Sequence, residues 1–416
     1  MPPWCDRRYC EVTTATSTTT APRTVESKGI EAFLSVDFAL SEAPRLIEVL
    51  AAQKTYPEQV TVAESDEAEE MLRRQFEHLL ALGAAAAFGG VVPGVGELAP
   101  DMPRPGLPGD LPTRVGMVDV AVLRGYRDSL QAVSRTYGGQ ARAAVVLADW
   151  SDQWLAVDAS DAVRHALLGE LVHVHTITAW CCHDGGAPGR SLYHFGRAVE
   201  LATDASDSYQ AAYALRHAAV MLVERGRPND ALKAAQLAGV RVLGAPRGDS
   251  RVPVLQAWCH AVSALALSRL DESDSVRGQA RNELATARGS WEPPDTRATA
   301  NGSGQTDMDL VSALTWLHCG QLDAAERVAS LSAHTYGAYR RPGVVADITR
   351  ARLHVLNGDT DALRLVESAI NATTQTRSGV ARQVWLPPLA EALDNRPGAD
   401  ARDLARQARQ IATTRA

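Results

Sequence analysis

Gly226-Arg227-Pro228, followed by Asp230-Ala231-Leu232, is the stretch that most clearly indicates how this chain folds. The glycine marks the end of one helix, because glycine readily takes the left-handed backbone angles at which helices stop. Small residues then recur at helical spacing at Ala234, Ala235 and Ala238. Small side chains let two helices approach closely. The stretch therefore predicts the elbow and second helix of a helical hairpin.

Similar breaks punctuate the chain before and after this hairpin. They lie at Gly186, Leu270-Asp271, Gly320 and Gly358. Together with Gly226 they recur about every forty residues, a period typical of stacked helical hairpins. Arrays of this kind usually bind a partner rather than transform it, so the repeat predicts a binding protein.

The composition agrees with an all-α protein. Hydrophobic residues make up 45% of the 416 residues and aromatic residues only 5%, and alternating β-branched runs are nearly absent after residue 115. This favours closely packed helices over sheets. The formal net charge is −7 and no basic face is evident, which argues against a surface that binds duplex DNA.

Four regions follow one another along the chain. Residues 1–28 are predicted to be disordered, because Thr13–Thr20 consists almost entirely of Ser and Thr. Residues 29–92 are predicted to form a short helical region. Residues 93–115 are predicted to be a linker, since six prolines and four glycines fall within them. Helix is predicted to follow helix through the repeat domain, 116–412.

Cysteine usage and hydropathy bear on location. The six cysteines are scattered and lack the spacing of a disulfide framework, as expected in a reducing cytosol. No apolar run reaches the length of about 18 residues that a membrane-spanning helix needs. Arg73-Arg74 before an Ala-rich run resembles a twin-arginine export signal, but Glu77 and His78 interrupt the apolar stretch. We therefore expect an Ala-rich packing helix there and a cytoplasmic protein.

Three hairpins share a pattern of small residues around the turn glycine, with one bulkier position. The pattern comprises Ala179, Ser191, Phe195 and Ala198 around Gly186; Ala219, Ala231, Ala235 and Ala238 around Gly226; and Ala313, Ala325, Ala329 and Ser332 around Gly320. With this pattern, residues 160–375 resemble tetratricopeptide repeats. More narrowly, they resemble the sensor half of actinobacterial helix-turn-helix (XRE-type) transcriptional regulators. The resemblance implies a right-handed superhelix of helical hairpins.

The resemblance also implies a binding groove, lined by the first helix of each hairpin. Transferred to this chain, the groove positions are His173, Thr176, Trp180, His183, Tyr213, Arg216 and Trp258, with Val220, Val223, Ala261 and Leu265 beside them. Aromatic rings supply contact area, and arginine pairs with carboxylates. We therefore expect a non-enzymatic regulatory module that binds a peptide, a small molecule or a protein partner, and a homodimer is compatible with this reading.

Two other functions stay open. The regulator family carries an N-terminal DNA-binding helix-turn-helix, and none is recognisable here, so the alternative is a diverged DNA reader within 29–92. The other is an enzyme, whose candidate nucleophile pair is Cys182 with His183 or His194.

Potential metal ligands cluster in one predicted helix and the helix after it. They are His173, His175, Cys181, Cys182, His183 and His194. Neighbouring residues on a helix point in different directions, whereas a structural zinc site needs four ligands in closed geometry. We therefore predict ordinary helix residues here, with no metal, no cofactor and no catalytic residue.

Overall fold

The computed structural model describes Leu111, 113–246, 248–291, 304–333 and 340–414. Within these ranges the chain forms α-helices and no β-strand, which confirms the all-α prediction. The predicted disordered segment 1–28, the predicted helical region 29–92 with its Arg73-Arg74 pair, and most of the linker 93–115 lie outside the described residues. No helix in the described ranges combines the length and apolarity needed to cross a bilayer.

The described residues contain fourteen α-helices. They are α1 Met117–Tyr137, α2 Ala141–Asp152, α3 Asp161–Asp184, α4 Pro188–Asp204, α5 Ser208–Glu224, α6 Pro228–Val242, α7 Arg251–Ser268, α8 Asp274–Gly289, α9 Gly304–His318, α10 Leu322–Ala333, α11 Arg340–Asn357, α12 Ala362–Thr374, α13 Leu386–Asp394 and α14 Ala399–Thr413. A 3₁₀ turn, Gln153–Ala156, follows α2, and a π-helical turn, Ala381–Trp385, precedes α13.

From α3 onward the helices pair in chain order. The pairs are α3 with α4, α5 with α6, α7 with α8, α9 with α10, α11 with α12, and α13 with α14. The first helix of each pair also contacts the first helix of the next pair. Helix α1 packs against α3 and reaches α11, far along the chain. The first helices are therefore neighbours of one another across the described array.

Four of the predicted breaks form the same backbone turn. Gly186, Gly226, Gly320 and Gly358 all have positive φ, between 70° and 80°. At Gly226 the glycine N–H donates to the Val223 carbonyl at 3.0 Å, and the next N–H, of Arg227, donates to the Leu222 carbonyl at 2.9 Å. This is the Schellman pattern of helix termination. Glycine is favoured there because a Cβ strains the left-handed conformation.

We expect Gly226→Ala to lower the free energy of unfolding by about 1 kcal/mol. A Cβ at Gly226 would meet no other atom within 4 Å, so the cost comes from the backbone angles alone. The matched change is Ser206→Gly, because Ser206 holds the equivalent turn after α4 at φ 53°. This change is expected to stabilise the chain. Urea unfolding followed by circular dichroism measures both, and equal stability of both variants with the parent chain would contradict the turn geometry.

The small residues of the predicted register lie where the paired helices touch. None has measurable exposure: Ala179, Ser191, Ala198, Ala219, Ala231, Ala238, Ala313 and Ala325. Phe195, at the bulkier position of the first pattern, is also fully buried. Larger side chains at the small positions would hold the helices apart, since protein interiors are close-packed.

Candidate functional site

Six helices and one turn surround a cavity of about 210 Å³. The helices are α1 and the first helices of five pairs, α3, α5, α7, α9 and α11, and the turn is the π-helical segment before α13. No described residue from the second helices of these pairs lines the cavity. The cavity therefore lies on the side of the array where the first helices face one another.

Each first helix presents one face to this space. Arg216, Val220 and Val223 lie three or four residues apart on α5, as the 3.6-residue helical period requires. Leu310 and Leu314 repeat that spacing on α9. Branched aliphatic side chains from several hairpins therefore form much of the wall.

Three of the seven predicted groove residues line the cavity: Trp180, Arg216 and Trp258. The Trp180 ring packs edge-on against Phe195, with the ring centroids 6.0 Å apart. The Trp258 ring makes a similar contact with Trp291 at 5.9 Å. Of the accompanying positions, Val220, Val223 and Leu265 also line it, and Ala261 does not.

The other four predicted residues lie outside the lining. The His173 ring packs against Tyr213, with centroids 5.1 Å apart, and Tyr213 reaches the site only by lying beside Arg216. Thr176 is buried and donates its hydroxyl to the carbonyl of Val172 on its own helix. These residues therefore support the wall rather than face the cavity.

His183 is buried between its own hairpin and the next one. Its Nε2 lies 2.6 Å from Glu224 Oε2, and its Nδ1 accepts from Arg225 Nε at 3.1 Å. Burial, the largest influence, lowers the pKa of His183, although the Glu224 carboxylate acts in the opposite direction. The side chain joins α3 to the end of α5 and has no free edge for a ligand.

Arg216 is the central charged group of the wall. Its guanidinium carbon lies 4.7 Å from the centre of the Trp258 ring and 5.8 Å from that of Tyr213, within the range of cation–π attraction. No carboxylate in the described ranges forms an ion pair with it, and its Nε–H has no acceptor there. Burial lowers the pKa of Arg216, yet arginine remains protonated in proteins. Within the described ranges the guanidinium therefore packs on two aromatic rings without an ion pair, while the Asp307 carboxylate acts to raise its pKa.

His217, the next residue on α5, adds a second donor. The Trp180 indole N–H donates to His217 Nδ1 at 3.0 Å. Since an indole nitrogen only donates, the proton of the neutral imidazole sits on Nε2, where no described group accepts it. Burial and the adjacent Arg216 charge hold the pKa of His217 well below its usual range. The ring is therefore neutral near pH 7.

The other cationic groups of the lining have protein partners. Arg135 pairs with Asp307 at 3.6 Å, and Arg341 pairs with Asp184 at 3.3 Å. Arg269 donates from Nη1 to a backbone carbonyl at 3.0 Å. Arg216 thus differs from the remaining arginines of the wall.

One end of the cavity is held together by four residues that we call the Asp184 cluster: Gly139, Asp184, Arg341 and Ser378. The Asp184 carboxylate accepts from the Gly139 backbone N–H at 2.9 Å, from Arg341 Nε at 3.3 Å and from the Ser378 hydroxyl. The cluster therefore ties the turn after α1 and the end of α3 to the start of α11 and to the segment before α13.

Glycines allow this close approach. A Cβ on Gly138, whose φ is 75°, would lie 2.5 Å from the Asp184 carboxylate. A Cβ on Gly379 would lie 2.6 Å from the Asp184 carbonyl oxygen. Asp184, Arg341 and Ser378 were not among the candidate residues predicted from the sequence. The consecutive glycines Gly138 and Gly139 are the one sequence signal of a close backbone contact here.

The histidine and cysteine side chains noted in the sequence do not converge on one point. His175 Nδ1 lies 3.0 Å from His194 Nδ1, while His175 Nε2 faces Asp152 Oδ1 at 3.1 Å. Burial raises the pKa of Cys182 to about 12, so its thiol is protonated. A reactive cysteine needs a thiolate, which disfavours Cys182 as a nucleophile.

A different group of metal-ligand side chains, Glu326, His354 and Asp359, does come together. The two imidazole nitrogens face different carboxylates, Nδ1 toward Asp359 at 2.7 Å and Nε2 toward Glu326 at 3.6 Å. An ion bound to one nitrogen would leave the opposite carboxylate behind the ring. The arrangement fits an imidazole bridging α10 and α11 better than a metal centre.

No family model, curated protein or solved structure matches the chain.

Proposed function

We propose that this chain is a non-enzymatic sensor built from tetratricopeptide-like hairpins in a right-handed superhelix, and that it binds a small ligand in the cavity. The observation that carries the proposal is the origin of the lining. It comes from the first helices and from none of the described second helices, as expected for the inner side of such an array. The repeated Schellman turns and the buried small residues support the same reading.

The volume of the cavity, about 210 Å³, favours a small molecule over a long peptide or a protein partner. Helices surround the space, and the Asp184 cluster ties α3 to α11 at one end. The wall combines branched aliphatic and indole side chains with a few polar groups, the composition typical of ligand pockets.

A ligand in this position would act on the array as a whole. It would touch several hairpins at once, because α1, α3, α5, α7, α9 and α11 each contribute to the wall. A molecule that binds one spacing of the hairpins more tightly than another shifts the population toward that spacing. The resemblance to the sensor half of transcriptional regulators extends the proposal to cytoplasmic control of transcription.

The proposal is tested with N-phenyl-1-naphthylamine, an uncharged dye whose fluorescence rises in apolar surroundings. We expect saturable binding to the parent chain. Val220 lines the cavity, so Val220→Phe occupies volume that the dye would need and should weaken dye binding roughly tenfold. The matched control is Val118→Phe, because Val118 is 68% exposed on α1. Equal affinity of both variants for the dye would contradict a ligand site in the cavity.

A further inference from the structure

The wall of the cavity offers donors that no described protein group accepts. They are the Arg216 Nε–H, the His217 Nε2–H and the Trp385 indole N–H. All three side chains line the same cavity. Buried donors are almost always satisfied in proteins, because each unmade hydrogen bond is costly. A bound molecule that presents acceptor oxygens would satisfy them.

The charge of Arg216 indicates whether the acceptor on the ligand is anionic or neutral. Arg216 is a cation with aromatic neighbours and no ion-pair partner in the described ranges, whereas Arg135 and Arg341 are paired with carboxylates. Guanidinium groups bind carboxylates with strong, charge-assisted hydrogen bonds. An anionic oxygen group therefore suits this position better than a neutral hydroxyl.

The acidic residues of the wall limit the ligand to a single charge. Glu224 and Asp307 also line the cavity. A phosphate monoester or a dicarboxylate would bring a second negative charge near these two carboxylates, and every other arginine of the described wall already has a protein partner. One anionic group per ligand balances Arg216.

The rest of the ligand must suit apolar surroundings. Ile177, Val220, Leu265, Leu310 and Leu314 line the cavity, and the Trp180 and Trp258 rings add flat apolar surface. Burying apolar ligand surface against these side chains lowers the free energy of binding, whereas further polar groups on the ligand would find no partner among them.

We propose that the ligand is a monoanionic amphiphile, an apolar body with one carboxylate, and that Arg216 binds the carboxylate while His217 and Trp385 donate to its oxygens or to a neighbouring acceptor. This inference rests on the proposed function, since it names the class of ligand for the same cavity. The Arg216 guanidinium carbon lies 5.8 Å from the centre of the Tyr213 ring and 4.7 Å from that of Trp258, and neither ring accepts the Nε–H, which stays available to an anion.

The test compares two probes of equal length, octanoate and 1-octanol, in displacement of N-phenyl-1-naphthylamine at pH 7.5. Octanoate is ionised at this pH, so the two probes differ chiefly in the anionic group. We expect the parent chain to bind octanoate at least tenfold more tightly than 1-octanol. Equal affinities would overturn the inference without any substitution, and they would leave the proposed function intact if both probes displace the dye.

Substitution of Arg216 provides the second arm. Arg216→Met keeps much of the apolar stem and removes the charge and the donors. We expect octanoate affinity to fall at least tenfold while 1-octanol affinity stays within about twofold, the difference between a charge-assisted bond and hydrocarbon burial. The matched control is Arg251→Met, because Arg251 also stacks on a ring, that of Tyr209 at 4.2 Å, and does not line the cavity. This control should keep the preference for octanoate.

The outcomes separate the two proposals. An equal loss of both probes in Arg216→Met would overturn the carboxylate role, because a purely structural arginine affects both alike. Failure of the dye and both probes to bind the folded parent chain would overturn the ligand-binding function itself. Circular dichroism of each variant establishes that the compared chains are folded.

Discussion

Asp184→Ala is expected to lower the free energy of unfolding by about 3–5 kcal/mol, the range for removing one partner of a buried ion pair. The Asp184 side chain is only 2% exposed and accepts hydrogen bonds from three separate segments. Its removal leaves the partly buried Arg341 charge, the Gly139 N–H and the Ser378 hydroxyl without their acceptor. Each of these groups then stays removed from water without a hydrogen-bond acceptor, which destabilises the folded state.

The control for this substitution is an acid in an exposed pair. Asp403 pairs with Arg406 on α14, and both side chains are largely exposed. Exposed ion pairs contribute at most about 1 kcal/mol, so Asp403→Ala should change stability little. Urea unfolding monitored by circular dichroism gives both values. If the two substitutions cost the same, Asp184 does not hold the array together.

Asp184→Asn removes the charge but keeps one acceptor oxygen at the same position. The amide oxygen can still accept from some of the donors, but the carboxylate charge that meets Arg341 is lost. The stability that the asparagine variant lacks combines the loss of the charge with the loss of the hydrogen bonds at its NH2 position, and the stability that it retains beyond the alanine variant comes from the amide oxygen.

The turns and the small-residue register could be predicted because they depend on nearby residues. A Schellman turn at Gly226 involves only residues 222–227 and the glycine's own backbone freedom. The small residues repeat at helical spacing in each hairpin, so the pattern of one hairpin predicts the pattern of the next. The all-α architecture followed from these local signals.

The cavity wall could be predicted only in part. Trp180, Arg216 and Trp258 lie on the expected faces of their helices. His173 lies outside the lining, on the helix against which α1 packs, and Arg124 and Arg127 of α1 both pair with Glu170 of that helix. The repeat pattern does not predict that an additional helix packs on the first hairpin.

The Asp184 cluster was beyond local reasoning altogether. Asp184 and Ser378 are 194 residues apart in the sequence, and Asp184 and Arg341 are 157 apart. No periodicity links positions at such separations, because each hairpin of an array is specified mainly by its neighbours. These residues come together where α11 packs against α1, which itself packs against α3.

Gly379→Ala is the second substitution for which we expect a large effect, a loss of at least about 2 kcal/mol, within the cost of overpacking a close contact. Gly379 lies in the helical turn that precedes the π-helical segment, and its Cβ would be 2.6 Å from the Asp184 carbonyl oxygen. That oxygen belongs to the backbone at the end of α3, so it cannot swing aside as a side chain could. The two segments would have to separate. Because Ser378 adjoins Gly379, its hydrogen bond to the Asp184 carboxylate would then be lost.

Gly169→Ala is the control for this substitution, because the same change of residue is expected to stabilise the chain there. Gly169 lies within α3, and a Cβ there would meet no atom within 4 Å. Alanine is favoured over glycine inside a helix by up to about 1 kcal/mol, so this variant should be more stable than the parent chain. Opposite signs for two helical glycines isolate the effect of the close approach from that of helix propensity. A Gly379→Ala variant as stable as the parent chain would show that the end of α3 and the segment before α13 do not meet at this distance.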